Sequence, residues 1–186
     1  MVKRAFDVTA AVLGLMIAWP VIVILAILIR RGSEGPGILS QTRVGRDGRP
    51  FQCYKLRTML KGAPQVPTHV AAPSLVTPIG AFLRRSKLDE LPQLWNVLKG
   101  DMSLVGPRPC LLTQEELIAE RQKRGVLALR PGISGLAQAA GIDMSDPVRL
   151  AEKDADYLRR QSFLLDLEIL FRTVFDTAGR KQPSQA

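Results

Sequence analysis

The sequence predicts a mixed α/β (α+β) fold that is mostly helical and attached to a membrane near its N-terminus. A long apolar run lies within the first 31 residues, and two extended runs around a glycine-containing turn predict a small β-hairpin. Apolar residues recur at helical spacing in the second half of the chain. We therefore expect a re-entrant membrane helix–break–helix, a small sheet, and amphipathic interfacial helices around a compact domain.

The N-terminal segment is long and apolar enough to enter a bilayer. Between residues 5 and 29 the only charged side chain is Asp7, and about 20 apolar residues suffice for a transmembrane helix. A proline inside a helix removes one backbone hydrogen bond, so we expect a break between Trp19 and Pro20. Each arm would then measure about 15–21 Å, too short for a hydrocarbon core of about 30 Å.

Positive charges at both ends of this segment favour a hairpin over a kinked helix that crosses the membrane. Lys3 and Arg4 precede the apolar run, and Arg30 and Arg31 follow it. Positively charged residues favour the cytoplasmic side of a membrane. A hairpin bent at Pro20 keeps both clusters on that side, whereas a crossing helix exports one of them.

A β-hairpin is predicted by two extended runs, residues 38–44 and 50–57, on either side of the turn sequence Gly-Arg-Asp-Gly. Lys55 and Arg57 are two positions apart, so both side chains project from one face of the second strand. These two cations either form a solvated face or bind phosphate.

The remainder of the chain alternates irregular segments with helical patterns. Residues 61–79 contain four prolines and the single histidine, His69, and predict a long loop. Apolar spacing with Pro92 near its start and Gly100 at its end predicts a helix that begins near residue 90. Asp146 with Pro147 opens another helix. Residues 162–177 predict an amphipathic helix that lies on a membrane surface or packs on the core.

The charge and the cysteine count narrow the classes of function. The formal net charge is +9, and a basic surface attracts nucleic acid, anionic lipid headgroups or phosphorylated substrates. Cys53 and Cys110 form no spacing pattern with each other or with His69. We therefore expect neither a zinc site nor a disulfide, and no Ser–His or Cys–His nucleophile.

Two adjacent carboxylates, Asp89 and Glu90, are the strongest candidates for chemistry. Carboxylate oxygens bind divalent cations, arginines bind phosphate through two parallel hydrogen bonds, and phosphoryl transfer needs both. The alternative is structural, since Ser86 stands three residues before Asp89 and approximates a capping box. Arginines follow on both sides of the pair: Arg84, Arg85, Arg108 and Arg130.

The stretch FLRRSKLDELPQLWNVLKGDMSLVGPRP closely resembles the bacterial sugar transferases of the monotopic phosphoglycosyl transferase superfamily. KRAFD, FQCYKLRTM and RPGISGLAQ also occur in family order, so the resemblance extends over nearly the whole chain. It implies transfer of a phospho-sugar from a UDP-sugar to polyprenyl (undecaprenyl) phosphate, with release of UMP. This reaction is the first membrane step of glycoconjugate or polysaccharide biosynthesis, at the cytoplasmic face of the bacterial inner membrane.

The resemblance also implies roles for individual residues. Asp89 would be the nucleophile that forms a covalent aspartyl phospho-sugar intermediate, and would also bind Mg²⁺. Glu90 would orient or activate reacting groups. Many family members have Ser where this chain has Trp19, which leaves the proline in place but changes the hydrogen bonding around it. The residues implied to bind phosphate or nucleotide sugar are Lys55, Arg84, Arg108, Arg130 and Gln138.

From these expectations we predict how the chain is divided into domains and which molecules it binds. Residues 1–31 form the membrane hairpin, residues 32–178 the cytoplasmic catalytic domain, and residues 179–186 a disordered tail. We expect a UDP-sugar, polyprenyl phosphate and the bilayer as partners, and no nucleic acid; a homodimer is left open. The segments VPTHVAAPS and GIDMSDP are candidates for sugar recognition. The alternative functions are a non-enzymatic, membrane-anchored basic adaptor and a membrane-bound phosphohydrolase.

Overall fold

The computed structural model describes residues 2–64 and 72–179, and its mixed, largely helical architecture confirms the predicted fold class. His69 and the predicted tail from residue 180 onward lie outside the described residues, and the domain boundaries stay a prediction. The helices are α1 (Val2–Gly32), α2 (Pro78–Ser86), α3 (Gln93–Lys99), α4 (Glu115–Lys123), α5 (Leu136–Ala139), α6 (Pro147–Arg160) and α7 (Phe163–Gly179). The strands are β1 (Ile38–Val44), β2 (Pro50–Leu56), β3 (Ser103–Val105) and β4 (Gly132–Ser134).

The N-terminal segment is one uninterrupted helix, because α1 runs through Pro20. The predicted division into two arms at this proline is therefore wrong at the level of secondary structure. A proline removes one hydrogen bond from a helix, and both halves of α1 pack against the same domain, which holds them together. By length and composition α1 is able to cross a membrane.

One face of α1 packs against the rest of the protein along its whole length. The buried positions are four or seven residues apart, which places them on a single stripe. The opposite face is apolar and exposed, with Ile17 77% accessible and Met16 and Trp19 each 59% accessible. This apolar surface indicates association with a membrane. The buried positions are Asp7, Ala11, Ala18, Ile22 and Ile29.

The charged residues near the start of α1 bind inside the protein. Arg4 donates to the main-chain carbonyls of Val97 and Leu98, at 2.7 and 3.0 Å, and so satisfies the end of α3. Lys3 forms an ion pair with Asp166 of α7, with 2.6 Å between Nζ and Oδ2. The N-terminal positive cluster therefore has structural partners within the domain.

Asp7, the one charge within the apolar run, is buried against β3. Its carboxylate accepts hydrogen bonds from the Ser103 hydroxyl at 2.8 Å and from the Leu104 main-chain N–H at 3.1 Å. A buried carboxylate is tolerated when it is hydrogen-bonded in this way. Asp7 therefore marks the face of α1 that points to the domain.

Arg57 has neither of the two roles predicted for it. The side chain is 3% exposed. Its guanidinium donates to the carbonyl of Ser33 at 2.8 Å, to that of Ile29 at 3.4 Å, and to that of Glu34. These carbonyls lie at the C-terminal end of α1 and just beyond it, where the Ile29 carbonyl also accepts from the Ser33 N–H at 3.1 Å. Arg57 therefore attaches the end of α1 to the hairpin.

The predicted hairpin is confirmed, and a side chain from α3 completes its outer edge. β1 and β2 are antiparallel. Asn96 is fully buried; its Oδ1 accepts from the Tyr54 N–H at 3.0 Å, and its Nδ2 donates to the Gln52 carbonyl at 2.6 Å. The amide thus replaces a neighbouring strand and fixes α3 against β2. Nothing in the sequence pattern predicted this role.

A second, parallel pair of strands brings two distant loops together. β3 pairs with β4 across an intervening helix, α4. The Gly132 N–H donates to the Pro107 carbonyl at 2.9 Å. The backbones approach so closely that a Cβ on Gly132 would overlap Gly106. The segment after β3 is therefore held beside the segment before β4.

The two C-terminal helices follow the predicted pattern. The Asp146 carboxylate accepts from the Arg149 N–H at 3.0 Å and caps α6. α7 buries Leu165 and Ile169 in the core. This agrees with the alternative in which the helix packs on the core. The opposite face of α7 remains apolar and exposed, with Leu164 78% accessible.

Replacing Asn96 tests how the hairpin is attached. We expect Asn96→Ala to lower the free energy of unfolding by about 2–3 kcal/mol, because it leaves a partly buried N–H and a partly buried carbonyl without partners, at about 1–3 kcal/mol for each fully buried group. Denaturant unfolding in detergent measures this. The control is Gln122→Ala on an exposed face of α4, expected within about 0.5 kcal/mol of the original protein. Equal stability of the two variants would contradict the role of Asn96.

Candidate active site

The two adjacent carboxylates occupy a short 3-10 turn, Leu88–Glu90, between α2 and α3. The preceding residue, Lys87, has a left-handed backbone conformation with φ of 60° and ends α2. Ser86 donates back into α2, to the carbonyls of Phe82 at 2.9 Å and Leu83 at 3.2 Å. The alternative in which this serine forms a capping box with Asp89 is therefore wrong.

The predicted helix after the turn is present but begins slightly later. α3 runs from Gln93 to Lys99 and is ended by Gly100, whose φ of 89° suits a glycine. Asp89 and Glu90 therefore precede the helix instead of forming its first turn. Each of the two is only 8% exposed, so their charges require compensation inside the protein.

Glu90 is held between two cations from different parts of the chain. Its Oε1 accepts from Arg108 Nη2 at 2.5 Å and from Lys55 Nζ at 3.3 Å. Lys55 comes from β2, and Arg108 follows β3. The structure thus brings together three of the residues predicted for the site.

The neighbouring carboxylates have opposite electrostatic environments. Burial alone would raise the pKa of Glu90, but the charges of Arg108 and Lys55 outweigh it and lower this pKa to about 2. For Asp89, burial and the charge of Glu90 raise the pKa above its ordinary value. Among the described residues Asp89 has no hydrogen bond or ion pair through its carboxylate, so its oxygens are available to a ligand.

Arg84 lies on the Asp89 side of this cluster. Its Nε donates to the Thr58 hydroxyl at 2.9 Å. Burial lowers the pKa of the Arg84 guanidinium, and the charge of Asp89 opposes that shift. Asp89 therefore has cationic groups in its surroundings without being paired to one of them.

A cleft with about 380 Å³ of empty space, part of which is open solvent, lies beside the Glu90 ion pairs. We call it the basic cleft, because three of its lining residues are Arg43, Lys55 and Arg108. Arg43 was not singled out from the sequence, although the strand alternation contained a signal: Arg43 pairs with Phe51, on the same face of the hairpin as Lys55. The other lining residues are Cys53, Gln93, Pro109, Gly132 and Met144.

Met144 connects the basic cleft with one of the segments predicted to recognise the sugar. It belongs to GIDMSDP and contributes to the cleft wall. Its sulfur lies 3.5 Å from the side-chain nitrogen of Gln114. The other predicted segment, around His69, lies mostly outside the described residues.

Among the described residues, neither Arg130 nor Gln138 forms a hydrogen bond or ion pair with Asp89 or Glu90. The Arg130 Nε donates to the Gly100 carbonyl at 2.9 Å, at the opposite end of α3. Gln138 donates to the Ile133 carbonyl at 3.2 Å, and its buried Oε1 has no hydrogen-bond partner among the described residues. Substrate binding by these two residues stays a prediction.

The Glu90 ion pairs have a pH dependence that is open to measurement. The folded pKa of about 2 lies below the ordinary value of 4.5, so the ionised carboxylate stabilises the fold above about pH 4.5 and this contribution is lost towards pH 2. We expect Glu90→Gln to lower the free energy of unfolding by about 2–3 kcal/mol at pH 7. Denaturant unfolding from pH 7 to pH 3 measures the difference.

The control for this experiment is Glu152→Gln, which alters a carboxylate whose side chain is 61% exposed. We expect it to change stability by less than about 1 kcal/mol at every pH. A Glu90→Gln effect of the same size at pH 3 and pH 7 would contradict an electrostatic origin.

Comparison with known proteins identifies the family. A family model described as bacterial sugar transferase matches residues 1–180. A galactosyl transferase from Streptococcus agalactiae is 40% identical over 186 residues, which cover 92% of this chain and 41% of the relative. A UDP-glucose:undecaprenyl-phosphate glucose-1-phosphate transferase from Caulobacter vibrioides is 40% identical over 181 residues, covering 92% of this chain and 68% of the relative.

A protein of the same name from Escherichia coli is 39% identical over 184 residues, which cover 94% of this chain and 40% of the relative. The chain thus spans about two fifths of the length of the Streptococcus and Escherichia relatives. The family model, by contrast, matches almost all of this chain, including α1 and the segments that form the basic cleft. The chain therefore belongs to the bacterial sugar transferase family.

Proposed function

We propose that this chain is a phosphoglycosyl transferase that moves a phospho-sugar from a UDP-sugar to undecaprenyl phosphate and releases UMP. The names of the Caulobacter and Escherichia relatives describe this class of reaction with UDP-glucose as donor. The observation that carries the proposal is the unpaired, buried carboxylate of Asp89 next to a cluster of cations. A negatively charged diphosphate matches that cluster, and a nucleophile stands beside it.

The proposed reaction proceeds in two displacements at one phosphorus. Asp89 attacks the phosphorus that carries the sugar, and the bond from that phosphorus to the bridging oxygen breaks. The electron pair stays on the oxygen, which leaves as part of UMP. A phosphate oxygen of undecaprenyl phosphate then attacks the same phosphorus, and the bond to Asp89 breaks and restores the carboxylate.

The electrostatics support different tasks for the two carboxylates. Burial keeps the Asp89 carboxylate poorly solvated and raises its pKa, which favours attack on an electrophile. Glu90, with a pKa of about 2, is a weak base at neutral pH. Of the two roles implied for Glu90 by resemblance, we propose the orienting one: it holds Arg108 and Lys55 in position for phosphate.

A Mg²⁺ ion fits the donor set at Asp89. Within the part of the chain that the structure describes, this carboxylate has no competing ion pair. Mg²⁺ commonly binds one or two carboxylates together with phosphate oxygens of the substrate. Among the described residues no group of three or more potential protein ligands is present. When bound, the ion would neutralise phosphate charge, while Asp89 and the substrate would hold it.

We further propose that the protein is monotopic, at the cytoplasmic face of the bacterial inner membrane. The buried stripe of α1 contacts the domain from Asp7 to Ile29, so the helix lies along the domain. A helix that crossed the bilayer would separate one of its ends from a domain on the other side. Undecaprenyl phosphate would then present its headgroup to the site while its tail stays in the lipid.

The nucleophile is tested by mass spectrometry of the intact protein mixed with Mg²⁺ and a panel of UDP-sugars. We expect one sugar to give a phospho-sugar adduct and UMP without any acceptor. Asp89→Asn should abolish the adduct and lower turnover at least about 10³-fold, because the nucleophile is lost. The control, Asp156→Asn, alters a carboxylate on the surface of α6 and should retain the adduct.

The alternatives give different results in the same experiment. A basic adaptor would bind the nucleotide sugar without releasing UMP, and Asp89→Asn would leave its binding unchanged. A phosphohydrolase would release free sugar phosphate in the absence of undecaprenyl phosphate. Absence of both adduct and UMP with every sugar would refute the transferase.

The topology is tested by cysteine labelling in membrane vesicles. We expect Val2→Cys and Glu34→Cys, at the two ends of α1, to react with an impermeant reagent from the same side. The native thiols, Cys53 and Cys110, are buried and should contribute little background. Labelling of the two positions from opposite sides would show that α1 crosses the bilayer.

A further inference from the structure

Arg43 is a cation of the basic cleft to which neither the sequence nor the reaction described above assigns a role. It lies on β1 opposite Phe51, four residues along β2 from Lys55. At about 3.3 Å per residue the two positions are separated by about 13 Å of strand. Both side chains nevertheless line the same cleft. A ligand in the basic cleft would therefore meet Arg43 from a different direction than it meets Lys55, which is paired with Glu90.

The Arg43 guanidinium is held in place by neutral groups. Its Nη2 and Nε donate to Gln41 Oε1 at 2.5 and 3.2 Å, and its Nη1 donates to the Pro109 carbonyl at 3.3 Å. The same region is fixed by the Val44 N–H, which donates to the Cys110 carbonyl at 3.0 Å. The guanidinium thus has a defined orientation, and no carboxylate among the described residues forms an ion pair with it.

The charges of the basic cleft leave room for an anion. Three cations line it, Arg43, Lys55 and Arg108, and two of these share the single carboxylate of Glu90. Even when the nearby Asp89 is counted, positive charge is in excess. Partly buried cations without compensation are costly, so the basic cleft favours a ligand that carries negative charge.

In-line chemistry indicates which phosphate Arg43 meets. If Asp89 attacks from one side of the phosphorus, UMP leaves from the other side. The acceptor phosphate must then attack from the side that UMP has left, since Asp89 still occupies the first side. The leaving phosphate and the attacking phosphate therefore use one position in succession, away from Asp89.

We propose that Arg43 binds this shared position: first the UMP phosphate of the donor, then the phosphate of the polyprenyl acceptor. The inference rests on the transferase function proposed above. In the first displacement Arg43 stabilises the charge that grows on the leaving oxygen as the bridging bond breaks. In the second it orients the attacking phosphate oxygen. UMP and the acceptor consequently exclude each other.

Arg43→Gln tests the proposal through three rates measured on one variant. These are formation of the adduct from UDP-sugar, discharge of the preformed adduct by undecaprenyl phosphate, and slow hydrolysis of the same adduct by water. We expect the first two to fall about 10²-fold, as for loss of one donor to a developing anion. Hydrolysis should be unchanged, because water brings no second phosphate. Arg43→Lys should restore part of both lost rates.

The matched control is Arg49→Gln, which removes an exposed charge from the same hairpin outside the basic cleft and should leave all three rates unchanged. Equal slowing of all three rates by Arg43→Gln would show a structural effect and overturn the proposal. An unchanged rate of adduct formation in Arg43→Gln would also overturn the proposal. If Arg43→Gln slowed adduct formation but not discharge by undecaprenyl phosphate, the two phosphates would not share one position. If the unaltered protein formed no adduct at all, the transferase function itself would fail, which is a distinct result.

Discussion

The carboxylate of Glu90 is the interaction on which the site depends, because it joins three segments that are distant in the sequence. It binds Lys55 of β2 and Arg108 of the segment after β3, while Glu90 itself lies just before α3. All three groups are withdrawn from water to a large extent. Removing one partner from such a cluster leaves a buried charge, which costs more than the pair contributes. The geometry of the site is thereby tied to the stability of the fold.

The position of Asp89 follows from that constraint. Adjacent residues in a turn cannot move independently. The ion pairs that fix Glu90 therefore also fix Asp89 next to the same cations. The difference in pKa arises from pairing: Glu90 is bound by two cations, whereas Asp89 meets burial and a neighbouring negative charge. Two carboxylates of similar chemistry thus have different environments, which is consistent with the different tasks proposed for them.

Local patterns predicted the elements whose cause is local. The hairpin followed from alternation and a glycine turn, and the end of α3 from Gly100. The break at Pro20 was predicted from a local cost of one hydrogen bond, yet packing along the whole of α1 outweighs it. Asn96 was missed because its partners lie 42 and 44 residues away, a separation that carries no periodic signal.

The site residues also divide into those that a local pattern or the resemblance predicted and those that depend on distant contacts. Asp89 and Glu90 were recognisable as an adjacent acidic pair, and family resemblance pointed to Lys55 and Arg108. The pairing of one carboxylate with both cations was not predictable, because it depends on how three segments meet. Arg43 could have been found by extending the strand alternation across the hairpin, since its partner Phe51 shares the face of Lys55.

The way α1 is attached bears on how the two proposed substrates, a soluble nucleotide sugar and a lipid phosphate, would meet at one site. Lys3 links the start of α1 to α7 through Asp166, and Arg57 links its end to the hairpin that carries Lys55. The exposed apolar faces of α1 and α7 are therefore held by the same scaffold as the basic cleft. If these faces rest in lipid, the distance from the membrane surface to the cleft is set by the fold. The proposed acceptor, anchored by its tail, would then reach the basic cleft without leaving the bilayer.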